Sequence, residues 1–134
     1  METHTLPPFE LIDESGAVFR SDDLRGLRWI LAVVDEGYED TLSLLESRHV
    51  KTMMMNAPIV AVCGLDPQDV SDVRKRLSSR LKMLSDPGRA VIESTRLEAG
   101  GDLVVLDRQM QVAAVFTVID MGNLDRAVRR ASRL

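Results

Sequence analysis

The side chain best able to do chemistry in this chain is Cys63, the only cysteine in 134 residues. A lone thiol can serve as a nucleophile, a redox sensor or one half of an intermolecular disulfide. It cannot close an intrachain bridge, which fits a reducing compartment. To react it must ionise, and a thiol pKa falls from about 8.5 into the range ~3.5–7.5 only beside positive charge, a metal or a helix N-terminus. Cys63 closes the apolar run Ile59-Val60-Ala61-Val62-Cys63, with no lysine, arginine or histidine close in sequence. Burial and missing positive charge both predict a neutral thiol that behaves as a small hydrophobe. An Asp66-capped helix beginning just beyond it pulls the other way, and keeps a redox or ligand role for Cys63 open.

The second chemical feature is the acidic stretch Asp35-Glu36-Gly37-Tyr38-Glu39-Asp40. Carboxylates at a helix start suit the helix dipole. They would hold a nearby thiol protonated and repel an anion. The stretch is expected to be a solvated acidic cap, with a site for a cation or a basic partner as the functional alternative. His4 and His49 are far apart in sequence, and neither stands at metal-ligand spacing to Cys63. A zinc site needs about four ligands, so no metal is expected. Neither glycine-rich phosphate-binding fingerprint is present, and no cofactor is expected. Arg126, Arg129, Arg130 and Arg133 crowd the C-terminal segment, where a helix dipole favours cations; a solvated basic face is the expectation. With 4% aromatic residues and a net charge of −4, nucleic-acid binding is not expected. Met53-Met54-Met55 is expected to fill core gaps, with a hydrophobic interface as the alternative.

The elements that must position these groups follow from hydrophobic pattern. Trp29–Val34 and Ile59–Cys63 are unbroken apolar runs rich in β-branched residues, the pattern of strands buried on both faces. One helix between them, stepping through Leu42, Leu45 and His49 and capped by Asp40 or Thr41, makes them parallel neighbours at the sheet centre. Before them, Phe9–Ile12 and Ala17–Phe19 flank a turn at Glu14-Ser15-Gly16, and Ser21–Gly26 forms a polar turn. After them, Asp66 (N-cap), Pro67 and Asp69 open a helix with the stripe Val70, Val73, Leu77 and Leu81. Leu84–Gly88 is expected to be a turn, Ala90–Leu97 a helix and Ala99–Asp102 a break. Leu103–Leu106 and Val112–Phe116 form a hairpin, and Gly122-Asn123 precedes a last helix facing inward through Leu124, Ala127, Val128 and Ala131.

Several of these pieces, in this order, resemble the peroxiredoxin family, the alkyl hydroperoxide reductases and thiol-specific antioxidants. They are Pro8-Phe9-Glu10-Leu11-Ile12-Asp13-Glu14-Ser15-Gly16, Asp23-Leu24-Arg25-Gly26, Ile59–Asp66, Leu84-Ser85-Asp86-Pro87 and Val104-Val105-Leu106-Asp107. The resemblance spans about Pro8 to Phe116. It implies a thioredoxin-like α/β fold: a mixed sheet, helices on both faces and an added N-terminal β-hairpin. It also implies a peroxidatic cysteine in a Pro-x-x-x-Thr/Ser-x-x-Cys segment after the first core strand, and residues 35–50 hold none. The arginine that commonly precedes the strand at Leu103 is replaced by Gly100-Gly101-Asp102, and the thioredoxin Cys-x-x-Cys is absent. None of the family's catalytic residues carries over.

The sequence therefore predicts a single domain over residues 1–134, long enough to bury a core without staples. The expected function is a peroxiredoxin-like domain that has lost peroxidase activity and acts as a binding or assembly module. The alternatives are thiol redox chemistry through Cys63, or a small molecule held in the vestigial pocket bordered by Asp35, Glu36, Gly37 and Tyr38. The partners expected are a second copy, as a homodimer, or another protein. The first residues lack a signal-peptide pattern and no apolar run approaches the ~20 residues that cross a bilayer; the expected location is the bacterial cytoplasm, away from membrane.

Overall fold

A computed structural model describes residues 4–134. The chain begins with a hairpin of β1 (Glu10–Asp13) and β2 (Val18–Arg20), followed by a 3-10 turn, Ser21–Leu24. The first core strand, β3 (Trp29–Val34), leads into α1 (Tyr38–Glu46) and α2 (His49–Met54), then β4 (Ile59–Cys63). Next come α3 (Pro67–Leu77), β5 (Lys82–Ser85) and α4 (Ala90–Ala99). The hairpin β6 (Leu103–Leu106) and β7 (Val112–Phe116) precedes α5 (Met121–Ala131).

The seven strands form one sheet in the order β2-β1-β5-β4-β3-β6-β7. β3, β4 and β5 run parallel, with Val34 beside Cys63 and Cys63 beside Ser85. β1 and β6 flank them antiparallel. Every residue of β3 and β4 is buried, as expected for unbroken apolar strands covered on both faces. The period-two pleat divides them. Ile30, Ala32, Val34, Ala61 and Cys63 pack under α1, α3 and α5 through Leu42, Val70, Leu124 and Val128. Trp29, Leu31, Val33, Val60 and Val62 face the other way, onto Ile92 of α4 and the aromatic rings of the N-terminal segment. Phe9 and Phe19 stack there at 6.2 Å. The mixed sheet, the helices on both faces and the N-terminal hairpin are those the sequence predicts.

Five local expectations are corrected. Residues 84–85 are not in a turn: they end β5, which pairs with both β4 and β1. Lys82 interrupts the apolar pattern there, and its ammonium is tied 3.0 Å from Asp13. α3 stops at Leu77 because Ser78 adopts a left-handed conformation (φ 49°), so Leu81 is buried on the approach to β5 instead of on the helix. Two helices, not one, join β3 to β4, and α1 is preceded by left-handed Gly37 with no side-chain cap, so neither Asp40 nor Thr41 is the cap. α5 starts before Gly122-Asn123, capped by Asp120, whose carboxylate accepts the Asn123 N–H at 2.7 Å. Of the methionine run only Met55 packs against the core; Met53 and Met54 project outward, Met54 with 84% exposure.

Candidate functional site

Three parallel strands end side by side, and their exits build the site. β3 runs into Asp35, β4 into Gly64 and β5 into Asp86. Ligand sites in open α/β sheets gather at such carboxyl edges. Here the edge is stitched shut by the chain itself. The Asp86 N–H donates to the Cys63 carbonyl at 2.8 Å, and the Gly64 N–H donates to the Val34 carbonyl at 3.3 Å. The Ser85 hydroxyl donates to the Leu65 carbonyl at 2.6 Å. The buried Asp86 carboxylate accepts the Ile92 N–H at 2.8 Å, supplying the cap that left-handed Arg89 at the α4 start does not. Ser85 and Asp86 thus act as architectural groups, fixing two strand exits and one helix start.

Asp35 is not the solvated carboxylate expected from the sequence. Its side chain is only 15% exposed and accepts from the guanidinium groups of Arg89 and, at 3.1 Å, Arg96. The Arg89 hydrogen bond is the main reason its carboxyl lies below the usual 3.8; burial opposes it and Arg96 adds to it. Arg96 also grips Asp102 through two contacts of 2.8 and 3.1 Å, and its own pKa is raised, chiefly by Asp102. Asp102 stands where the family resemblance calls for an arginine before β6. Arg96 of α4 thus bridges the two carboxylates, Asp35 and Asp102. Glu36, Glu39 and Asp40 stay exposed, as a solvated cap would.

Gly64 closes the arrangement. A Cβ on it would stand 2.9 Å from an Asp35 carboxylate oxygen and 3.4 Å from the Tyr38 hydroxyl. Tyr38 donates to the Asp35 carbonyl at 2.9 Å. Burial first, and then the Asp35 charge, raise its phenol pKa. Of the residues predicted for the site, Asp35, Gly64's neighbour Cys63 and Tyr38 therefore share one strand edge, while Glu36 and Gly37 lie on its exposed rim.

Cys63 is 1% exposed. Burial pushes its thiol up to about 12. The cleft beside it, about 410 Å³ between α1 and α3, is lined by Tyr38, Glu39, Leu65, Asp69, Asp72, Val73 and Arg76, but not by Cys63. Arg76 spans its mouth to Glu39 at 2.6 Å. The nearby cations are thus held by carboxylates, and the helix start after Cys63 is capped by Asp66, which accepts the Asp69 N–H at 2.9 Å. Among the described residues no three His, Cys, Asp or Glu side chains converge as a metal-binding set, and no helix is long and apolar enough to cross a membrane.

The sequence does not predict the Asp35–Arg89–Arg96–Asp102 network. Its trace in the sequence is Arg89, just before the α4 start, and Arg96 within α4, just ahead of Asp102. What hid it is that Asp35 comes from a strand exit more than fifty residues earlier.

No protein-family model matches this chain, and no curated protein sequence matches it. Solved structures do. Peroxidoxin BcpB from Mycobacterium tuberculosis superposes with a TM-score of 0.84 at 16% identity, over 100% of this chain and 98% of that one. Peroxiredoxin Q of Xanthomonas campestris gives 0.82 at 11% identity, over 93% and 90%. The thioredoxin domain of a thiol-disulfide oxidoreductase from Bacteroides vulgatus gives 0.71 at 16%, over 96% and 99%. The fold is thioredoxin-like, of the kind found in peroxiredoxin structures.

Proposed function

We propose that this chain is a peroxiredoxin-like domain without peroxidase activity, serving as a non-catalytic binding or assembly module. Fold alone does not assign activity, so the reading rests on the site. The observation that carries it is the condition of the only thiol: Cys63 lies buried at a strand end, its pKa pushed up to about 12, while Arg89 and Arg96 at the same strand edge are committed to Asp35 and Asp102. Peroxide reduction requires a thiolate to attack the peroxide O–O bond. A thiol whose pKa burial raises this far stays protonated at neutral pH. An anionic intermediate would also meet the Asp35 carboxylate where a peroxidase needs free cationic donors.

The test is hydrogen peroxide consumption in a stopped-flow assay coupled to thioredoxin, thioredoxin reductase and NADPH, with Cys63→Ser as the control. The expected result is consumption equal to that of the control. Saturable turnover above the control would overturn the reading in favour of thiol redox chemistry at Cys63.

A further inference from the structure

The basic surface of α5 is a feature that the strand-edge site leaves unused. β7 is an edge strand of the sheet. Between its outer part and α5 runs a groove of about 240 Å³, floored by Ala114 and Phe116 and walled by Arg126, Arg129, Arg130 and Arg133. Among the described residues none of these four arginines forms an ion pair. Arg130 instead reaches the Ala113 carbonyl of β7 at 3.4 Å, and Arg126 the side chain of Asn123 at 3.0 Å. Asp125, paired with Arg48, also feels the charge of Arg129, but four cations outside any ion pair, over an apolar floor, stand out on a chain whose net charge is −4.

We propose that this groove binds an extended acidic peptide segment of another protein, laid beside residues 114–116 of β7 with its carboxylates on the α5 arginines. The inference rests on the binding-module reading and names the partner's chemistry. Three observations favour this occupant. Edge strands accept added strands through their free backbone groups, and pockets beside them select alternate side chains; the start of β7 is already occupied, its Val112 N–H by the His4 carbonyl and its Ala113 carbonyl by Arg130, so an added segment would run beside 114–116. Ala114 and Phe116 lie on the α5 face of the sheet, so alternate residues of an added strand would face the same arginines. The spacings agree: alternate strand residues repeat about every 7 Å, and residues four apart on a helix, such as Arg126 and Arg130, rise by about 6 Å. A second copy of this chain would bring four more arginines to the same place, a like-charge cost. Nucleic acid would want stacking aromatics, and the groove offers only Phe116.

The probe is a fluorescein-labelled peptide of about nine residues alternating glutamate and threonine, titrated at low and at moderate salt. Controls have the same composition with the glutamates in one block, and lysine in place of glutamate. The account expects the alternating peptide to bind best, its affinity to fall with salt, and the double variant Arg126→Glu/Arg130→Glu to bind roughly tenfold more weakly. Amide hydrogen exchange in β7 should slow when the peptide is bound. No binding at low salt, equal binding of the blocked peptide without β7 protection, or no loss in the double variant would overturn the proposal. Tighter binding of an oligothymidine would overturn it too and give the face to nucleic acid. Peroxide turnover measured on the same preparation keeps the readings separate: a protein that neither consumes peroxide nor binds the peptide loses only this proposal.

Discussion

Asp13 should hold a measurable, pH-dependent share of the stability. Its side chain is 8% exposed. It accepts the Ser15 N–H at 2.9 Å, the Ser15 hydroxyl at 2.7 Å and the Ala17 N–H at 3.0 Å, and it pairs with Lys82 at 3.0 Å. One carboxylate therefore closes the β1–β2 turn, where Gly16 takes φ 87°, and ties that hairpin to β5. Burial alone would raise the Asp13 carboxyl. The bonds from Ser15, Lys82 and Ala17 outweigh it and bring the pKa from 3.8 down to about 2. A shift of that size corresponds to roughly 2 kcal/mol, to which the half-exposed Lys82 contributes the smaller, solvent-screened part. The folded-state value is depressed, so this stability is present in full above the unfolded value of 3.8 and is lost as pH falls through about 2. Asp13→Asn keeps the shape and removes the charge. At pH 7 it should cost roughly 2 kcal/mol in urea unfolding and lower the melting temperature by about 7 °C, given the usual unfolding entropy per residue. The two proteins should converge as pH is lowered from 4 toward 2, followed as far as the folded baseline survives. A cost under about 0.5 kcal/mol at pH 7, the range of ordinary surface changes, would refute the reasoning. So would a cost that does not shrink in acid.

Other substitutions probe the strand edge and the β6–β7 hairpin. Asp35→Asn should lower the melting temperature at pH 7, with the deficit shrinking as pH drops below 3.8, because the Asp35 carboxyl is depressed by its arginines; thermal melts across pH check this, and a pH-independent deficit would point to shape instead of charge. Gly101→Ala should destabilise by about 1–3 kcal/mol in urea unfolding, a typical overpacking cost, because the new Cβ would stand 2.6 Å from the Phe116 carbonyl oxygen and 2.7 Å from a Val115 methyl. Gly88→Ala is the matched control, with nothing within 4 Å of its added Cβ; a loss as large as that of Gly101→Ala would show that crowding is not the cause.

How much the sequence discloses depends on whether a residue's environment is set locally. Trp29–Val34 and Ile59–Cys63 declare themselves because a strand buried on both faces is apolar at every position, and the α3 start is legible because Asp66, Pro67 and Asp69 each follow a local rule of helix capping. β5 is hidden because only Met83 and Leu84 carry its apolar signal, between a lysine whose partner lies on β1 and a Ser-Asp-Pro-Gly run with strong turn chemistry. The helix end at Ser78 is invisible for a related reason: nothing in Leu77-Ser78-Ser79 announces a left-handed residue. Asp35 is the instructive failure at the site. Neighbouring carboxylates make it look like one more solvated acid, whereas its environment is set by Arg89 and Arg96, brought over it by the β4–β5 pairing. Cys63 is the converse case, since its strand-end place in an apolar run already implies the burial found.

The central claim is that folding silences the only thiol, and the rate at which Cys63 reacts with an aromatic disulfide reagent tests it most directly. Under native conditions at pH 7 labelling should be slow, limited by opening of the structure, and should accelerate with urea in step with global unfolding, reaching the free-thiol rate only in the unfolded chain. A native rate equal to the unfolded one, or a native thiol titrating below about 8.5, would mean an accessible and activated Cys63, and would contradict the account.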